Sequence, residues 1–572
     1  MAQVVERKCG SVRWHIDPDF VADAALATSG LLDPDGPCVQ EWLQTGQATL
    51  VKYGPHQSVY HVVLPDLDFY LKHYRVADTR AWLRSLVRPA KARLEFERTR
   101  TAAERGLPTL TPLAAGEALA GDGTRSSYLV TRTLTDAVPL NRFLESTLSE
   151  HSPGRQTRLR QRIAVVLGQL LARMHQAGVT YRDLHPGNLL LQLDAEDRPR
   201  LFLIDVYDVA FGPPLSPRES RDNLIILNRW FMLRSERTDR LRGWRAYQEA
   251  RDRLPYSQRL ACPGVDVQGT SDLERATLIS NLRFWRNLDR RCLETNRHFR
   301  VVRSGAVVGH AVTNLESDLL ARLLANPDEL FRGPATKCLK DSPSSTVIEL
   351  PAPTSGGKAL ILKRFAVTRW SDPWVSLVRH TPALRSFVYG HGLGLRWLPT
   401  PRPLAVLHRQ RHGLRYEGYL LTEKVEHAID LVTFVERMAS DRNGLRRLIA
   451  LVAKVVCTLH QRRLSHRDLK APNLLVRTDP ETLTVSLWFI DLVGVLRHRR
   501  LPKSRRVQNL ARLHTSFHAH PLVTRTDKLR FLRTYLRWGL HGKQGWKSWW
   551  RQIDAATRAK IARNLRNRRP LG

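Results

Sequence analysis

One ordered set of residues occurs twice in this chain, roughly 285 residues apart. The first copy runs from Met174-His175 to Tyr181-Arg-Asp-Leu-His-Pro-Gly-Asn188 and is followed by Phe202-Leu-Ile-Asp205. The second runs from Leu459-His460 to His466-Arg-Asp-Leu-Lys-Ala-Pro-Asn473 and is followed by Phe489-Ile-Asp491. Each copy has Asp-x4-Asn and then a second Asp at the end of an apolar, strand-like run. Asp and Asn favour turns, so a lone copy reads as loop capping. Two copies in the same order at matched spacing make the chain an internal duplication, and nothing else in it constrains the fold as strongly.

The residue types suit phosphoryl transfer, which needs a carboxylate to orient and deprotonate a hydroxyl and oxygen ligands for magnesium. On that chemistry Asp183 is the expected base, with Asn188 and Asp205 as metal ligands; Asp468, Asn473 and Asp491 are their counterparts. The duplication continues upstream. Phe69-Tyr-Leu-Lys-His-Tyr-Arg75 matches Leu360-Ile-Leu-Lys-Arg-Phe365, which marks Lys72 and Lys363 as strand lysines for the α- and β-phosphates of ATP. Before them, the segments from Lys52 to Val59 and from Lys340 to Val347 read as phosphate-covering hairpins poor in glycine. Backbone N–H groups and the hydroxyls of Ser58, Ser345 and Thr346 are expected to serve there instead. Gly390-His-Gly-Leu-Gly394 lies past Lys363, where a helix is expected, and reads as packing.

The copies differ at one place. Aligned on Pro108-Thr109 and Pro399-Thr400, Glu95 follows Lys72 as a helix partner, whereas the matching position in the second copy is Ser386. No Glu lies between Lys363 and Tyr416, so the second copy is expected to be the weaker or regulatory site. Glu97 is the substitute for Glu95 that the first copy offers. Downstream, Asn223-Leu-Ile-Ile-Leu227 parallels Asn509-Leu-Ala-Arg-Leu513. Apolar residues at i, i+3, i+4 spacing (Ile163, Leu167, Leu170, Leu171; Leu448, Val452, Val455, Val456) predict an amphipathic helix before each Asp-x4-Asn loop.

Taken together, the Arg-Asp-Leu-x-x-x-Asn loops, the Gly-Leu-Pro-Thr and Leu-Pro-Thr-Pro-Arg-Pro segments, and the short lower lobes resemble the lipopolysaccharide kinase family. These are the Kdo and core-heptose kinases of bacterial envelope synthesis. The resemblance implies an α+β chain of two tandem protein-kinase-like bilobal domains. They would occupy residues 1–260 and 336–572, with a linker and leading helices at 261–335. It also implies an ATP- and magnesium-dependent kinase acting on a sugar hydroxyl of an envelope glycolipid at the cytoplasmic membrane face. Tyr181 departs from the His usual in that triplet, and neither Asp205 nor Asp491 is followed by Phe-Gly. Two other readings stay open: a protein or small-molecule kinase, because aminoglycoside-type phosphotransferases have a loop similar to residues 183–188, and a double pseudokinase binding an anionic partner.

Composition bounds the setting. A formal charge of +37 points to polyanions, with an anionic membrane or phosphorylated glycolipid the expected partner. Nucleic acid is not the expected partner, although charge alone admits it. Between Arg497 and Arg569 only Asp527 and Asp554 oppose a long basic series that includes Trp538, Trp546, Trp549 and Trp550. That mixture reads either as an interfacial membrane surface or as a basic helix with its Trp residues buried. Six scattered cysteines, the lack of an apolar run after Met1 and the lack of a membrane-length apolar stretch lead to the expectation of a cytoplasmic, soluble or peripheral protein.

Overall fold

The computed structural model describes residues 3–22, 26, 29–54, 56–75, 89–119, 125–253, 267–333, 336–352, 357–539 and 545–567. They divide into two compact units, Met1–Ser280 and Asn281–Gly572. The first contains a seven-stranded antiparallel sheet of β1 (Val5–Cys9), β2 (Val12–Ile16), β3 (Ala48–Tyr53), β4 (Gln57–Leu64), β5 (Leu67–Arg75), β6 (Pro112–Leu119) and β7 (Arg125–Arg132). Their order is β1-β2-β6-β7-β5-β4-β3. Alternation explains these strands: along β5, Leu67, Phe69 and Leu71 point into the core while Asp68 and Tyr70 lie on the opposite face. Helix α1 (Lys91–Glu104) packs on β6 and β7.

The lower lobe of the first unit is built around α2 (Pro153–Gln176), with α3 (Pro217–Arg234) and α4 (Arg237–Asp252) beside it. Helix α2 starts with Pro at its first turn, where a missing N–H costs nothing. It buries Leu159, Ile163, Leu167, Leu170, Leu171 and Met174 as one stripe. Between α2 and α3 run β9 (Val179–Tyr181), β10 (Leu189–Leu193), β11 (Pro199–Leu203) and β12 (Val209–Phe211), and β8 (Ala137–Pro139) pairs with β10.

The second unit repeats the plan. Its sheet contains β13 (Phe299–Ser304), β14 (Val307–Val312), β15 (Lys337–Ser342), β16 (Ser345–Leu350), β17 (Leu360–Phe365), β18 (Pro403–Arg411) and β19 (Leu414–Glu423). The order, β13-β14-β18-β19-β17-β16-β15, is that of the first sheet. The stretch expected to be a linker with leading helices, 261–335, is described over 267–333, where helices at Val267–Arg291 and Ser317–Ala325 enclose two strands. After the helix α5 (Val267–Arg291) it supplies the first two strands of the second sheet, with Val302, Val307, Ala311 and Val312 in its core. These strands are short and carry few motif residues, which is why the sequence motifs did not mark them.

Below that sheet, α6 (Pro382–Leu395) corresponds to α1. Its glycines are packing positions, as expected: a Cβ on Gly390 would lie 2.3 Å from Pro403 Cγ. Helix α7 (Arg442–Gln461) corresponds to α2 and buries Leu445, Leu448, Val452, Val456 and Leu459. Helices α8 (Lys503–Ser516), α9 (Arg525–Trp538) and α10 (Trp546–Arg566) complete the lobe. They decide the reading of the basic tail. Trp549 is buried, Trp546 and Trp550 pack against the same core, and Lys454 lies 4.3 Å from the Trp538 ring centre. Trp546, Trp549 and Trp550 therefore belong to the lobe core, whereas Trp538 stays 40% exposed beside Lys454. Among the described residues no helix is long and apolar enough to cross a membrane.

Each lower lobe is pinned by a buried histidine. His175 meets the Tyr247 hydroxyl at 3.0 Å and Asn223 Oδ1 at 3.2 Å; His460 meets Tyr535 at 2.8 Å and Asn509 at 3.2 Å. Burial lowers their pKa values, to about 4 for His175 and about 3 for His460. Both lie below the unfolded value of about 6.5, so on acidification the unfolded chain takes up protons first. Stability is therefore complete above that value and is lost as pH falls from about 6.5 towards 4, by up to about 3 kcal/mol per histidine. Calorimetric Tm should fall steadily from pH 7 to pH 4; a flat profile would show that these imidazoles ionise inside the fold.

Candidate active site

Lys72 sits on β5, paired with Val59 of β4 on one side and Leu129 of β7 on the other. Its ammonium donates to Glu95 Oε1 on α1 at 2.7 Å and also contacts Asp205 Oδ1. The Tyr74 hydroxyl donates to the other oxygen of Glu95. Both Lys72 and Glu95 are buried. Burial works against the ammonium, but the carboxylates of Glu95 and Asp205 outweigh it and hold the Lys72 pKa above the ordinary lysine range. Burial also opposes the Asp205 anion; Lys72, then Lys52 and His185, reverse that and hold its pKa below the usual carboxylate range. Glu97 turns outward to Arg93 at 2.9 Å, so Glu95 is the partner of Lys72.

The loop after β9 brings the remaining groups together. Asp183 is exposed, with His185 Nε2 3.6 Å from its Oδ2. Asn188 is buried, and its Nδ2 donates to the Asp183 carbonyl oxygen at 2.9 Å. Asp205 has a left-handed backbone, φ 53° and ψ 42°, uncommon for a residue with a Cβ and typical of constrained functional positions. Tyr181 explains how that turn is held: its hydroxyl bonds the carbonyl oxygens of Ile204 at 2.7 Å and Asp205 at 2.8 Å. Asn223 donates to the Tyr181 carbonyl at 2.8 Å, which gives the Asn223/Asn509 parallel a physical meaning. Each Asn ties the catalytic-type loop to the buried histidine of the long helix.

The second unit reproduces this frame with one gap. Lys363 Nζ donates to Asp491 Oδ1 at 2.9 Å, and Asp491 repeats the left-handed backbone at φ 54°. Asn473 Nδ2 donates to the Asp468 carbonyl at 2.8 Å and to its carboxylate at 3.1 Å, and Lys470 Nζ lies 3.6 Å from that carboxylate. His466 does the work of Tyr181, with Nε2 3.3 Å from the Ile490 carbonyl oxygen. Ser386 occupies the place of Glu95, but its hydroxyl donates back to Pro382 O at 2.9 Å within its own helix. Burial opposes the Asp491 anion, while Lys363, His466 and Lys340 together keep its pKa low.

The hairpin hydroxyls are placed differently from one another. Ser58 is fully buried on β4 and accepts from the Arg75 guanidinium. Thr346 donates to Asp341 at 2.9 Å and accepts from Arg364 at 3.3 Å. Ser345, also buried, lines the cavity that contains Lys363 and Asp491. The sequence reading passed over Lys52 and Lys340 as functional groups. Their matched position on the two hairpins was the signal, and each acts electrostatically on the Asp at the back of its cleft.

This doubled arrangement matches a known family. The model of the lipopolysaccharide kinase (Kdo/WaaP) family matches residues 54–249 and 382–535, together more than half of the chain. The chain belongs to this family. Among curated relatives, it is 31% identical over 121 residues to a 3-deoxy-D-manno-octulosonic acid kinase of Haemophilus influenzae, 21% of this chain and 47% of that one. To the lipopolysaccharide core heptose(I) kinase WaaP of Pseudomonas aeruginosa it is 34% identical over 129 residues, 22% and 47% of the two chains. The chain thus spans about half the length of the curated relatives it matches. A solved structure of WaaP in complex with acyl carrier protein aligns with a TM-score of 0.32 and 21% identity, covering 46% of this chain and 98% of that one.

The Tyr181 bonds generate a test within this Kdo/WaaP frame. Tyr181→Phe leaves two carbonyl oxygens without their donor and should lower stability by about 1–3 kcal/mol in chemical unfolding. Tyr181→His should retain most of it, because His466 reaches the equivalent carbonyl in the second unit. Equal losses in both variants would show that the ring packing, not the hydroxyl, holds the turn.

Proposed function

We propose that the chain is an ATP-dependent kinase that phosphorylates a sugar hydroxyl of an envelope glycolipid at the inner membrane face, with its chemistry in the first unit. The observation that carries this reading is the buried Lys72–Glu95 bond at 2.7 Å, beside an exposed Asp183 and a buried Asn188. A lysine clamped by a carboxylate is pre-oriented for the α- and β-phosphates, which is where positioning lowers a phosphoryl-transfer barrier. The names of the relatives, kinases of 3-deoxy-D-manno-octulosonic acid and core heptose, support the sugar acceptor.

The donor set fits magnesium. Among the described residues no three His, Cys, Asp or Glu side chains converge as a closed metal site. One carboxylate and one carboxamide per unit, Asp205 with Asn188 and Asp491 with Asn473, suit a hard cation whose shell is completed by phosphate oxygens and water. When bound, the ion would supply charge neutralisation on the transferred phosphoryl group. Lys72 would hold the α- and β-phosphates, Lys52 would add positive charge from the hairpin, and Asp183 would accept the proton of the attacking hydroxyl. His185, 3.6 Å away, would stabilise the Asp183 carboxylate before that transfer.

The second unit keeps Asp468, Asn473 and Asp491 but holds Lys363 by one carboxylate only, which supports a weaker or regulatory site. Two sets of variants test the assignment, with labelled ATP and a panel of lipid A–core, sugar and protein acceptors. Asp183→Asn should lower turnover by about 10²–10⁴-fold with Tm unchanged. Lys72→Met should abolish most transfer while Lys363→Met leaves it largely intact. The reverse ranking would move the active centre to the second unit, and transfer to protein acceptors alone would replace the glycolipid reading.

A further inference from the structure

Several highly exposed apolar side chains lie between β17 and α6 of the second unit, close to Lys363 in sequence. Trp370 is 86% exposed, Val378 87%, Leu377 64% and Trp374 59%. The segment has little regular structure beyond the single turn Asp372–Val375, which Asp372 braces by accepting from the backbone N–H groups of Thr368 and Arg369 at 3.1 and 3.0 Å. Large side chains at such exposure lose the burial that would stabilise them by about 1.5–3 kcal/mol each, so a folded chain keeps them only where something covers them.

The charges around the cluster say what covers it. Arg369 and Arg379 flank it, both exposed and both without an ion-pair partner among the described residues. Its inner edge, Val375 and Arg379, also lines a cavity of about 990 Å³ whose wall includes Arg286, Arg290, Arg385, Arg415 and Arg467. The carboxylates on that wall are already engaged: Asp289 with Arg396 and Arg497, Asp491 with Lys363, and Asp372 with the loop backbone. Arg415 is half-buried and meets no carboxylate among the described residues. Tryptophan and aliphatic side chains ringed by uncompensated guanidinium groups match the boundary layer of an anionic membrane, where rings lodge at headgroup level and arginines meet phosphate. A purely apolar partner would leave those arginines desolvated and unpaired.

We propose that residues 366–380 are a membrane-docking loop, in which Trp370, Trp374, Leu377 and Val378 enter the interfacial layer of an anionic bilayer while Arg369, Arg379 and the arginines of the adjoining cavity face its headgroups. This site lies apart from the basic tail, where Trp546, Trp549 and Trp550 are committed to the lobe core. The proposal rests on the glycolipid-kinase reading only in that a lipid-borne acceptor makes docking useful.

The test uses the full chain without ATP or acceptor, so its outcome is separate from that of the kinase assignment. Cosedimentation compares neutral phosphatidylcholine vesicles with vesicles containing phosphatidylglycerol, and brominated acyl chains report Trp insertion by quenching. The wild type should bind the anionic vesicles preferentially, in a salt-sensitive manner, and be quenched. The triple variant W370S/L377S/V378S should lose at least about tenfold in vesicle affinity and most of the quenching, because its lost apolar contacts are those made with lipid. R369E/R379E should lose the preference for anionic vesicles, whereas the tail variant R551E/R563E should bind within about twofold of wild type. The substituted side chains are exposed, and an unchanged circular dichroism spectrum confirms folding. Unchanged binding by W370S/L377S/V378S, equal wild-type binding to neutral vesicles, or a concentration-dependent dimer that the triple variant abolishes would each overturn the proposal, the last by making a second copy of the chain the occupant.

Discussion

A buried ammonium between two carboxylates is the constraint on which the first unit depends. Lys72 comes from the sheet, Glu95 from α1 and Asp205 from the turn after β11, so one charge ties three elements distant in sequence. Neither Lys72 nor Glu95 could be buried alone without a large desolvation penalty, and the set persists because each charge is answered within hydrogen-bond reach, with Asp205 part-exposed at its edge. Removing Lys72 would leave two carboxylates without their shared cation, and through Lys72 the helix position is tied to the sheet. Tyr74 adds a donor to the far oxygen of Glu95; burial, then the Glu95 charge, pushes its phenol pKa up and keeps it protonated for that purpose.

The second unit shows what changes when one member is missing. Ser386 cannot answer an ammonium, and its hydroxyl satisfies itself on the backbone of its own helix. Lys363 then relies on Asp491, and the interior that Glu95 would have occupied carries no negative charge. Beside this cleft His408 is buried against Thr381 at 2.6 Å, and its pKa is lowered to about 3 by burial and by the neighbouring Arg415. Guanidinium groups and neutral imidazoles around the cleft favour anionic groups such as nucleotide phosphates.

Much of this was legible in the sequence because catalytic geometry demands fixed residue types at fixed spacing. The duplication, the Lys72–Glu95 pairing and the supporting helices all follow from such spacings, and the structure brings the lysine and the second Asp together in each unit, with the Glu in the first alone. What escaped had no such signature. Strands β13 and β14 contain Val-rich pairs that resemble many loops and edges, and only the pairing of β13 with β14 and of β14 with β18 reveals them. Ser58 carries the right chemistry at the right hairpin, yet the neighbouring Arg75 claims its hydroxyl, a contact that depends on strand pairing rather than on local sequence. The exchange of Tyr181 for His466 looked like a departure, but both side chains deliver a hydrogen bond to the same carbonyl from rings of similar reach.

The Trp residues make the same point in its sharpest form. Trp549 and Trp370 both stand among arginines in the sequence, and composition alone treats them alike. Trp549 lies on an amphipathic helix whose stripe also presents Ile553, so it has a lobe core to enter, and the basic residues around it occupy the opposite face. Trp370 lies in a segment too short to form a stripe, fixed by Asp372 to a conformation that leaves its side chain 86% exposed. Burial is thus decided by whether the local backbone can deliver a side chain to a core, not by its neighbours along the chain. A basic, Trp-containing segment with helical periodicity is expected to be structural, whereas one braced as an irregular loop is left to meet a partner from outside.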